Sequence, residues 1–153
     1  MKKVLVVMGS DSDLKVMEKC VDRLKSFDIP TEVRICSAHR TPAVAEHLAK
    51  NAAAEGFGVI IAAAGKAAHL GGVLAAYTTL PVIGVPMATS VMGGMDSLLS
   101  NVQMPKGIPV ATVAIDGADN AAILAAQMIA LSDDALAQKL AQFKADMAAE
   151  VTA

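Results

Sequence analysis

Short apolar runs alternate along the chain with longer segments in which apolar residues recur every three or four positions. The short runs are rich in Val, Ile and Ala and hold few polar residues, which is typical of parallel strands buried on both faces. They predict strands at 4–8, 31–35, 59–64, 81–86 and 110–115. The periodic segments predict helices around 14–24, from 42 to about 55, at 73–77, from 96 onwards, at 120–131 and at 134–151.

Strict alternation of strand and helix predicts parallel strands joined by right-handed helical crossovers. We therefore expect residues 1–153 to form one α/β domain, a three-layer α/β/α sandwich around a doubly wound, parallel, five-stranded sheet. In such sheets, ligands bind beyond the carboxyl ends of the strands. A functional site is accordingly expected in the loops GSDSD (9–13), SAHRTP (37–42) and GKAAHLGG (65–72), and in the segment after Pro86.

The last predicted helix carries an apolar stripe, Leu136, Leu140, Phe143 and Met147, spaced four, three and four residues apart. The stripe packs either on its own domain or on a neighbouring subunit, and the spacing does not separate the two. Hydrophobic residues make up 54% of the chain and charged residues only 18%. Because an excess of apolar side chains can be buried between subunits, this balance favours a homo-oligomer.

Composition and charge exclude several classes of protein. The net charge is -2, Trp is absent and Tyr occurs once, so the basic patch and the stacking aromatics of a nucleic-acid-binding protein are missing. Gly, Pro or charge interrupts every apolar run before it reaches the length of a membrane span. The two cysteines, Cys20 and Cys36, make no disulfide framework, which favours a reducing, cytoplasmic location.

The loop GSDSD places Gly9, for a sharp turn, and two hydroxyls, Ser10 and Ser12, directly before a helix. Free N–H groups and the dipole at a helix N-terminus favour an anion such as phosphate. An aspartate such as Asp13 suits sugar hydroxyls better than phosphate. An ordinary helix cap explains the same residues equally well, and the glycine spacing does not match a dinucleotide fingerprint.

The loop SAHRTP is more specific. Arg40 offers a planar donor fork that suits phosphate, and it precedes a helix that Thr41 is expected to cap and Pro42 to open. The guanidinium and the helix N-terminus both disfavour an imidazolium at His39, so we expect a neutral histidine that can accept a proton and return it. No metal is expected, because Cys36 and His39 supply only two of the ligands that zinc requires.

The loop GKAAHLGG follows the most apolar strand. Gly65, Gly71 and Gly72 are expected to let the backbone approach a ligand closely. His69 is either a second functional imidazole or a structural histidine bonded to the backbone. A dry, apolar lining for a small pocket is predicted from the surrounding alanines, Ala62, Ala63, Ala64, Ala67 and Ala68.

Several motifs taken together resemble the N5-carboxyaminoimidazole ribonucleotide mutases of bacterial purine biosynthesis. They are GSDSD, SAHRTP, AAHL, GMDSLLS with VQMPKGIPVATVAI, and NAAILAAQ. The resemblance extends over about 4–131 and implies a flavodoxin-like fold, a homo-octamer and no cofactor. It also implies a reaction that moves a carboxylate from the exocyclic N5 to C4 of an aminoimidazole ribonucleotide.

The resemblance implies roles for individual residues. His39 matches the family's proton shuttle. Arg40, with Ser10 and Ser12 nearby, would hold the 5′-phosphate, and Asp13 would take the ribose hydroxyls. The pocket for the base and the carboxylate would be lined by Ser37, Gly65, Ala68, His69 and Leu70.

Two positions depart from the family's usual GGAAHLPG: Lys66 replaces the second glycine and Gly71 the proline. Gly71 is expected to give the loop more freedom to lose on ordering, whereas Lys66 points either to solvent or to the ligand. A related branch of the family carboxylates aminoimidazole ribonucleotide directly with CO2, but its third loop typically lacks the AAHL histidine.

The reaction implied by the resemblance agrees with the chemistry of these loops. A carboxyl shift needs neither an electron carrier nor a metal, since CO2 can leave in a dry pocket and be attacked by the ring carbon. His39 is the candidate to take the C4 proton, while phosphate and ribose contacts position the ring.

Three other classes of protein share features with this sequence. A nucleotide-binding regulatory domain without catalysis remains an alternative. A receiver-like signalling module is not favoured, because the third strand ends in alanine and glycine rather than in a carboxylate that accepts phosphate. A flavin-binding electron carrier is not favoured either, because no aromatic residue lies in an exit loop.

Overall fold

The computed structural model describes residues 1–152, in which five strands alternate with six helices. The strands are β1 (Lys3–Met8), β2 (Thr31–Ile35), β3 (Phe57–Gly65), β4 (Val82–Met87) and β5 (Ala111–Thr112). The helices are α1 (Leu14–Ser26), α2 (Pro42–Ala52), α3 (Leu70–Tyr77), α4 (Met95–Val102), α5 (Ala118–Ala130) and α6 (Asp134–Thr152). The alternation predicted from the apolar runs is confirmed.

All five strands are parallel and lie in the order β2-β1-β3-β4-β5. In β1, Val6 pairs with Val33 of β2 on one side and with Ile61 of β3 on the other. The order reverses between β1 and β3, which is the switch point where doubly wound sheets bind their ligands. The predicted three-layer, flavodoxin-like fold is therefore confirmed.

Side chains of the sheet alternate between its two faces and build a core on each. Val4, Val6 and Met8 of β1 pack with residues of α1 and α5. Leu5 and Val7 point the other way and pack with residues of α2 and α3. Because both faces are covered by helices, the strands are apolar along their whole length.

A glycine in the middle of β4 brings α4 close to the sheet. A methyl group at Gly84 would overlap the side-chain amide of Asn101 and press on Val110. Asn101 is buried and its Nδ2 donates to the Ser97 carbonyl at 2.9 Å. The Ser97 hydroxyl donates to the Met87 carbonyl at 2.8 Å. Ser97 and Asn101 thus fix α4 on β4, and neither lines the cleft described below.

Two helix boundaries differ by about three residues from those predicted. α3 begins at Leu70 rather than at 73, because Gly71 and Gly72 are accommodated in its first turn. α2 ends at Ala52 rather than near 55, and a turn leads from it to Gly56, whose φ is 92°. Helix ends fray by a turn, and a periodic pattern cannot place them more closely.

The edge strand β5 is much shorter than predicted, with Ala111–Thr112 in place of 110–115. Its backbone still follows β4 beyond the regular ladder: Val113 N donates to the Gly84 carbonyl at 3.1 Å, and Asp116 N donates to the Pro86 carbonyl at 2.8 Å. The apolar run is therefore attached to the sheet, but its pairing is irregular.

The apolar stripe of α6 packs largely on its own domain. Leu136 is fully buried, and Leu140 and Phe143 contact the core beneath α1 and α5. The Phe143 ring meets Phe27 edge-on, with 5.6 Å between centroids. Only Met147 is exposed. No helix within residues 1–152 is both long enough and apolar enough to cross a bilayer.

Candidate active site

Loops at the carboxyl ends of β1, β2, β3 and β4 enclose a cleft of about 570 Å³. Its lining residues are Gly9, Ser10, Ser12, Asp13, Ser37, Ala38, His39, Arg40, Ala64, Gly65, Lys66, Ala67, His69, Leu70 and Thr89. The structure thus brings together all of the predicted site residues except Ala68. That residue is buried, with 1% of its surface exposed, and does not line the cleft.

The loop after β1 is shaped by its two serines. Ser10 Oγ accepts the Ser12 N–H at 3.3 Å and lies 3.0 Å from the Ser12 hydroxyl, so it caps a short 3₁₀ turn. α1 begins only at Leu14, after that turn. Gly9 does not adopt a left-handed backbone, and a methyl group there would make ordinary contacts. The sharp turn expected at Gly9 therefore does not require glycine.

Asp13 presents a half-buried carboxyl to the same cleft. Burial raises the pKa of this carboxyl, and the charge of Asp116 raises it further, while a backbone hydrogen bond from Ser10 lowers it. The ionised carboxylate is therefore incompletely hydrated and gains from hydroxyl donors on a ligand.

The loop after β2 holds the base of the Arg40 side chain and leaves its tip free. Ser37 Oγ accepts both the Arg40 backbone N–H at 3.1 Å and the guanidinium Nε–H at 3.3 Å. The terminal guanidinium nitrogens form no ion pair with any side chain within residues 1–152. The planar fork is thus available to an anionic ligand.

The predicted helix cap at Thr41 is wrong. Thr41 occupies the N-cap position of α2, but its hydroxyl makes no bond into the helix. It donates instead to the Ser37 carbonyl at 2.8 Å and accepts the Ser37 N–H at 3.1 Å, which closes the loop. Pro42 opens α2 as predicted. Cys36 Sγ lies 3.7 Å from the Thr41 hydroxyl, and the described residues contain no group of three metal-ligating side chains.

Two imidazoles meet in the cleft. His39 Nε2 lies 2.7 Å from His69 Nδ1, and the rings stand edge to face at 84°. When both rings are neutral, only one of the facing nitrogens carries a proton, so the tautomer of one ring fixes that of the other. The ring of His69 is thus bonded to His39 and not to the backbone, as a structural histidine was expected to be.

The loop after β3 uses its glycines differently from the prediction. A methyl group at Gly65 would lie 3.1 Å from the Thr89 side chain, so this glycine allows two loops to approach each other. Gly71 and Gly72 lie in α3, where methyl groups would meet Asn101 and Met104. The expectation that Gly71 and Gly72 approach a ligand is wrong, because they make room for packing instead.

The predicted alanine lining is only partly realised. Ala64 and Ala67 line the cleft, whereas Ala62 and Ala63 are buried in the cores on opposite faces of β3. Successive residues of a strand point to opposite faces, so only the end of the run reaches the cleft.

Thr89 is a cleft residue that the sequence did not single out, although the segment after Pro86 was expected to contribute. Its hydroxyl donates to the Val91 carbonyl at 2.7 Å. The neighbouring Ala88 N–H donates to Asp116 Oδ1 at 2.9 Å, which ties this loop to the start of α5. No motif marks Thr89, because its place depends on the approach of the β3 and β4 loops.

A larger groove of about 760 Å³ lies at the opposite end of the sheet, where Pro81 precedes β4 and Pro109 precedes β5. The only charged side chain in its lining is Lys50, which pairs with Glu46 and lies 5.4 Å from the centre of the Tyr77 ring. The lining contains no histidine or carboxylate, so we place the candidate chemistry in the smaller cleft.

The fold and the cleft together have the features of an α/β protein with a ligand-binding cleft at the switch point of a doubly wound sheet. The family described as AIR carboxylase matches residues 3–150. The chain therefore belongs to the AIR carboxylase family.

Individual relatives agree with this membership. The N5-carboxyaminoimidazole ribonucleotide mutase of Pyrococcus abyssi is 52% identical over 147 residues, which cover 96% of this chain and 84% of the relative. The protein of the same name from Methanocaldococcus jannaschii is 52% identical over 150 residues, covering 98% and 93%. The crystal structure of Treponema denticola PurE has a TM-score of 0.89 at 31% identity, covering 97% of this chain and 93% of that one. The resemblance seen in the motifs is confirmed.

Proposed function

We propose that this protein is an N5-carboxyaminoimidazole ribonucleotide mutase. It is an isomerase that forms 4-carboxy-5-aminoimidazole ribonucleotide on the route to IMP in purine biosynthesis. The names of its relatives support the reaction. The observation that carries the mechanism is the His39–His69 contact of 2.7 Å in a cleft that also holds Arg40 and Asp13.

In this proposal the non-reacting parts of the nucleotide are held by the loops after β1 and β2. The free end of the Arg40 guanidinium and the hydroxyls of Ser10 and Ser12 bind the 5′-phosphate through charge-assisted hydrogen bonds. Asp13 accepts hydrogen bonds from the ribose hydroxyls. These contacts fix the ring over the imidazole pair, which removes much of the entropic barrier to reaction.

The base and its carboxylate occupy the part of the cleft next to β3. Gly65, His69 and Leu70 lie at the end of β3 or in the loop and helix that follow it, and Ser37 lines the same cleft from the loop after β2. Ala68 contributes only indirectly, because its side chain is buried away from the cleft.

The chemical step is a decarboxylation followed by a carboxylation. The N5–carboxyl bond breaks, its electron pair returns to N5, and N5 takes up a proton as CO2 is released. C4 then attacks the trapped CO2 and gives up its own proton. His39 delivers the first proton and removes the second, so the protons balance and neither cofactor nor metal is required. The methyl groups of Ala64 and Ala67 keep water from the CO2.

We also propose that the protein is a cytoplasmic homo-octamer. The free thiols of Cys20 and Cys36 support a reducing location. Assembly is supported by an exposed apolar face formed by Val91, Met92, Met95, Leu99 and Val102.

The decisive experiment supplies N5-carboxyaminoimidazole ribonucleotide, labelled with ¹³C in its carboxyl group, to metal-free protein without ATP. We expect the C4-carboxylated isomer to form and to retain the label when unlabelled bicarbonate is present at low concentration. Formation of product only from aminoimidazole ribonucleotide and CO2 would identify a direct carboxylase instead. Binding of the nucleotide without any conversion would identify a regulatory domain.

A further inference from the structure

Lys66 lines the cleft with a backbone conformation that normally favours glycine. Its φ is 55°, and no other residue that lines the cleft has a positive φ. The left-handed region strains any residue that carries a Cβ. Strain of this kind persists where the surrounding structure imposes it, and it is concentrated at functional sites.

Two hydrogen bonds hold the backbone at Lys66 and directly after it. Its carbonyl accepts a long hydrogen bond from the Ser100 hydroxyl of α4 at 3.4 Å. Further along the same loop, His69 N donates to the Ala67 carbonyl at 2.9 Å and forms a tight turn. Lys66 precedes His69 by three residues, so their Cα atoms are at most about 11 Å apart. The lysine side chain therefore starts from a fixed point close to the imidazole pair.

The charges that face the cleft are few. Arg40 and Lys66 are cations and Asp13 is an acid. Arg40 follows β2 and Lys66 follows β3, and β1 lies between those two strands. The two cations are therefore on opposite sides of the β1 loop. Lys66 makes no ion pair with any side chain of residues 1–152, so its charge is available to a ligand.

We propose that Lys66 binds the carboxylate that the reaction transfers, while Arg40 binds the phosphate. This inference rests on the proposed function, in which the nucleotide carries an anion at each end. The phosphate grip lies in the loops after β1 and β2, and the reacting end lies at His39 and His69. Arg40 follows His39 directly in the chain, but the proposed function assigns its guanidinium to the phosphate. Lys66 shares a loop with His69 and is the remaining cation of the cleft, so it binds the carboxylate and selects carboxylated over uncarboxylated nucleotides.

Binding measurements on two nucleotides test this role. Lys66→Met removes the charge but keeps an unbranched side chain that is one atom shorter. Lys66→Arg keeps the charge, and Lys144→Met is a matched control at an exposed lysine of α6. Calorimetry gives the Kd of 4-carboxy-5-aminoimidazole ribonucleotide and of 5-aminoimidazole ribonucleotide, which lacks the carboxylate. We expect K66M to weaken binding of the first by about tenfold and to leave the second within about twofold. K66R and K144M should bind both as the unaltered protein does.

Two results overturn the proposal. If K66M weakens the binding of both nucleotides equally, Lys66 contacts the phosphate or the ribose. If it weakens the binding of neither, Lys66 points to solvent. Circular dichroism and the melting temperature show whether each variant is folded, and Lys66→Gln, which also removes the charge, repeats the test if K66M is not. Conversion of N5-carboxyaminoimidazole ribonucleotide by the unaltered protein separates the two levels of inference. If conversion occurs and K66M binds normally, only the role of Lys66 is lost, whereas absence of conversion removes the proposed function itself.

Discussion

The contact between His39 and His69 joins two loops that are 30 residues apart in the sequence. Both rings line the cleft, so a proton taken up by one changes the hydrogen bond of the other. In the proposed mechanism His39 exchanges protons with the nucleotide, and His69 fixes the orientation and tautomer of His39. The two side chains should therefore act as one unit.

A double-mutant cycle tests this coupling. His39→Asn should lower kcat by about 10²–10⁴-fold, the usual contribution of a general acid–base group, with little change in nucleotide Kd. His69→Ala should lower kcat by about tenfold. The double variant should be no slower than His39→Asn alone, because His69 acts through His39.

The third histidine offers a matched control for that cycle. His47 lies on the exposed side of α2 and bonds only to Asn51. His47→Asn should therefore leave kcat unchanged. If the losses at His39 and His69 multiply in the double variant, the two imidazoles act independently and the coupling is wrong.

The Asp13 carboxylate should lower the stability of the ligand-free folded protein at neutral pH, although it contributes to ligand binding in the proposed function. Burial raises its pKa, so the folded state binds the proton more tightly than the unfolded state. Stability from this group is present at low pH and is lost as the pH rises from the ordinary value of 3.8 through the raised value. Asp13→Asn should therefore raise the melting temperature of the ligand-free protein at neutral pH, and the gain should disappear below that window.

The matched control is Asp22→Asn, at an exposed carboxylate of α1. It should not reproduce this pH-dependent gain. A melting temperature of Asp13→Asn that equals that of the unaltered protein at neutral pH would show that the carboxylate is fully hydrated in the cleft.

At the scale of elements, the packing of α4 on β4 depends on Gly84, which has no side chain. Gly84→Ala forces a methyl group against the buried Asn101 amide, and overpacking of this kind costs about 1–3 kcal/mol. Gly72→Ala in α3 meets only the flexible end of Met104, at 3.0 Å, and alanine favours the helix by up to about 1 kcal/mol. Urea denaturation should show a loss of stability for G84A and little change or a gain for G72A. Equal stabilities would mean that α4 moves freely on the sheet.

This packing also explains the motif GMDSLLS. Ser97 of that motif bonds to β4, and Asn101 just beyond it packs on Gly84. Neither lines the cleft. A motif that carries the family resemblance can thus contribute to packing, while the proposed chemistry lies in the loops after β1, β2 and β3.

At the scale of the whole molecule, the exposed apolar face along α4 is the proposed subunit interface. Met92, Met95 and Leu99 are exposed by 65%, 47% and 46%. We expect Leu99→Glu to lower the molar mass in light scattering, because a charge would be buried in the proposed subunit interface. Circular dichroism should remain native, since Leu99 is not part of the core of one chain.

Met147 on α6 is the matched control, with a similar exposed fraction of 41%. Met147→Glu should leave the molar mass unchanged. If Met147→Glu alone dissociates the protein, the interface lies on the last helix. If the unaltered protein is a monomer, the proposed octamer is wrong.

Much of the fold was predictable, and the site less completely. Apolar runs located all five strands, because a strand buried on both faces must be apolar along its length. The run at 110–115 predicts a regular strand, yet only Ala111–Thr112 pair in the ladder. Pairing at the edge of a sheet depends on the adjacent strand, which the run itself does not specify. The loops of the cleft were found because parallel strands end on one side of the sheet.

The sequence by itself determined the order of strands and helices and which loops carry ionisable groups, because these follow from local periodicity and residue chemistry. The family followed from the resemblance of its motifs to those of known proteins. Only the tertiary structure decided that His69 bonds to His39, that Thr89 joins the cleft, that Thr41 turns back to Ser37, and that Gly71 and Gly72 serve packing. The Thr41–Ser37 bond depends on the fold of a single loop. The other features depend on distances between segments remote in the chain. Such distances are set by how the helices settle on the two faces of the sheet.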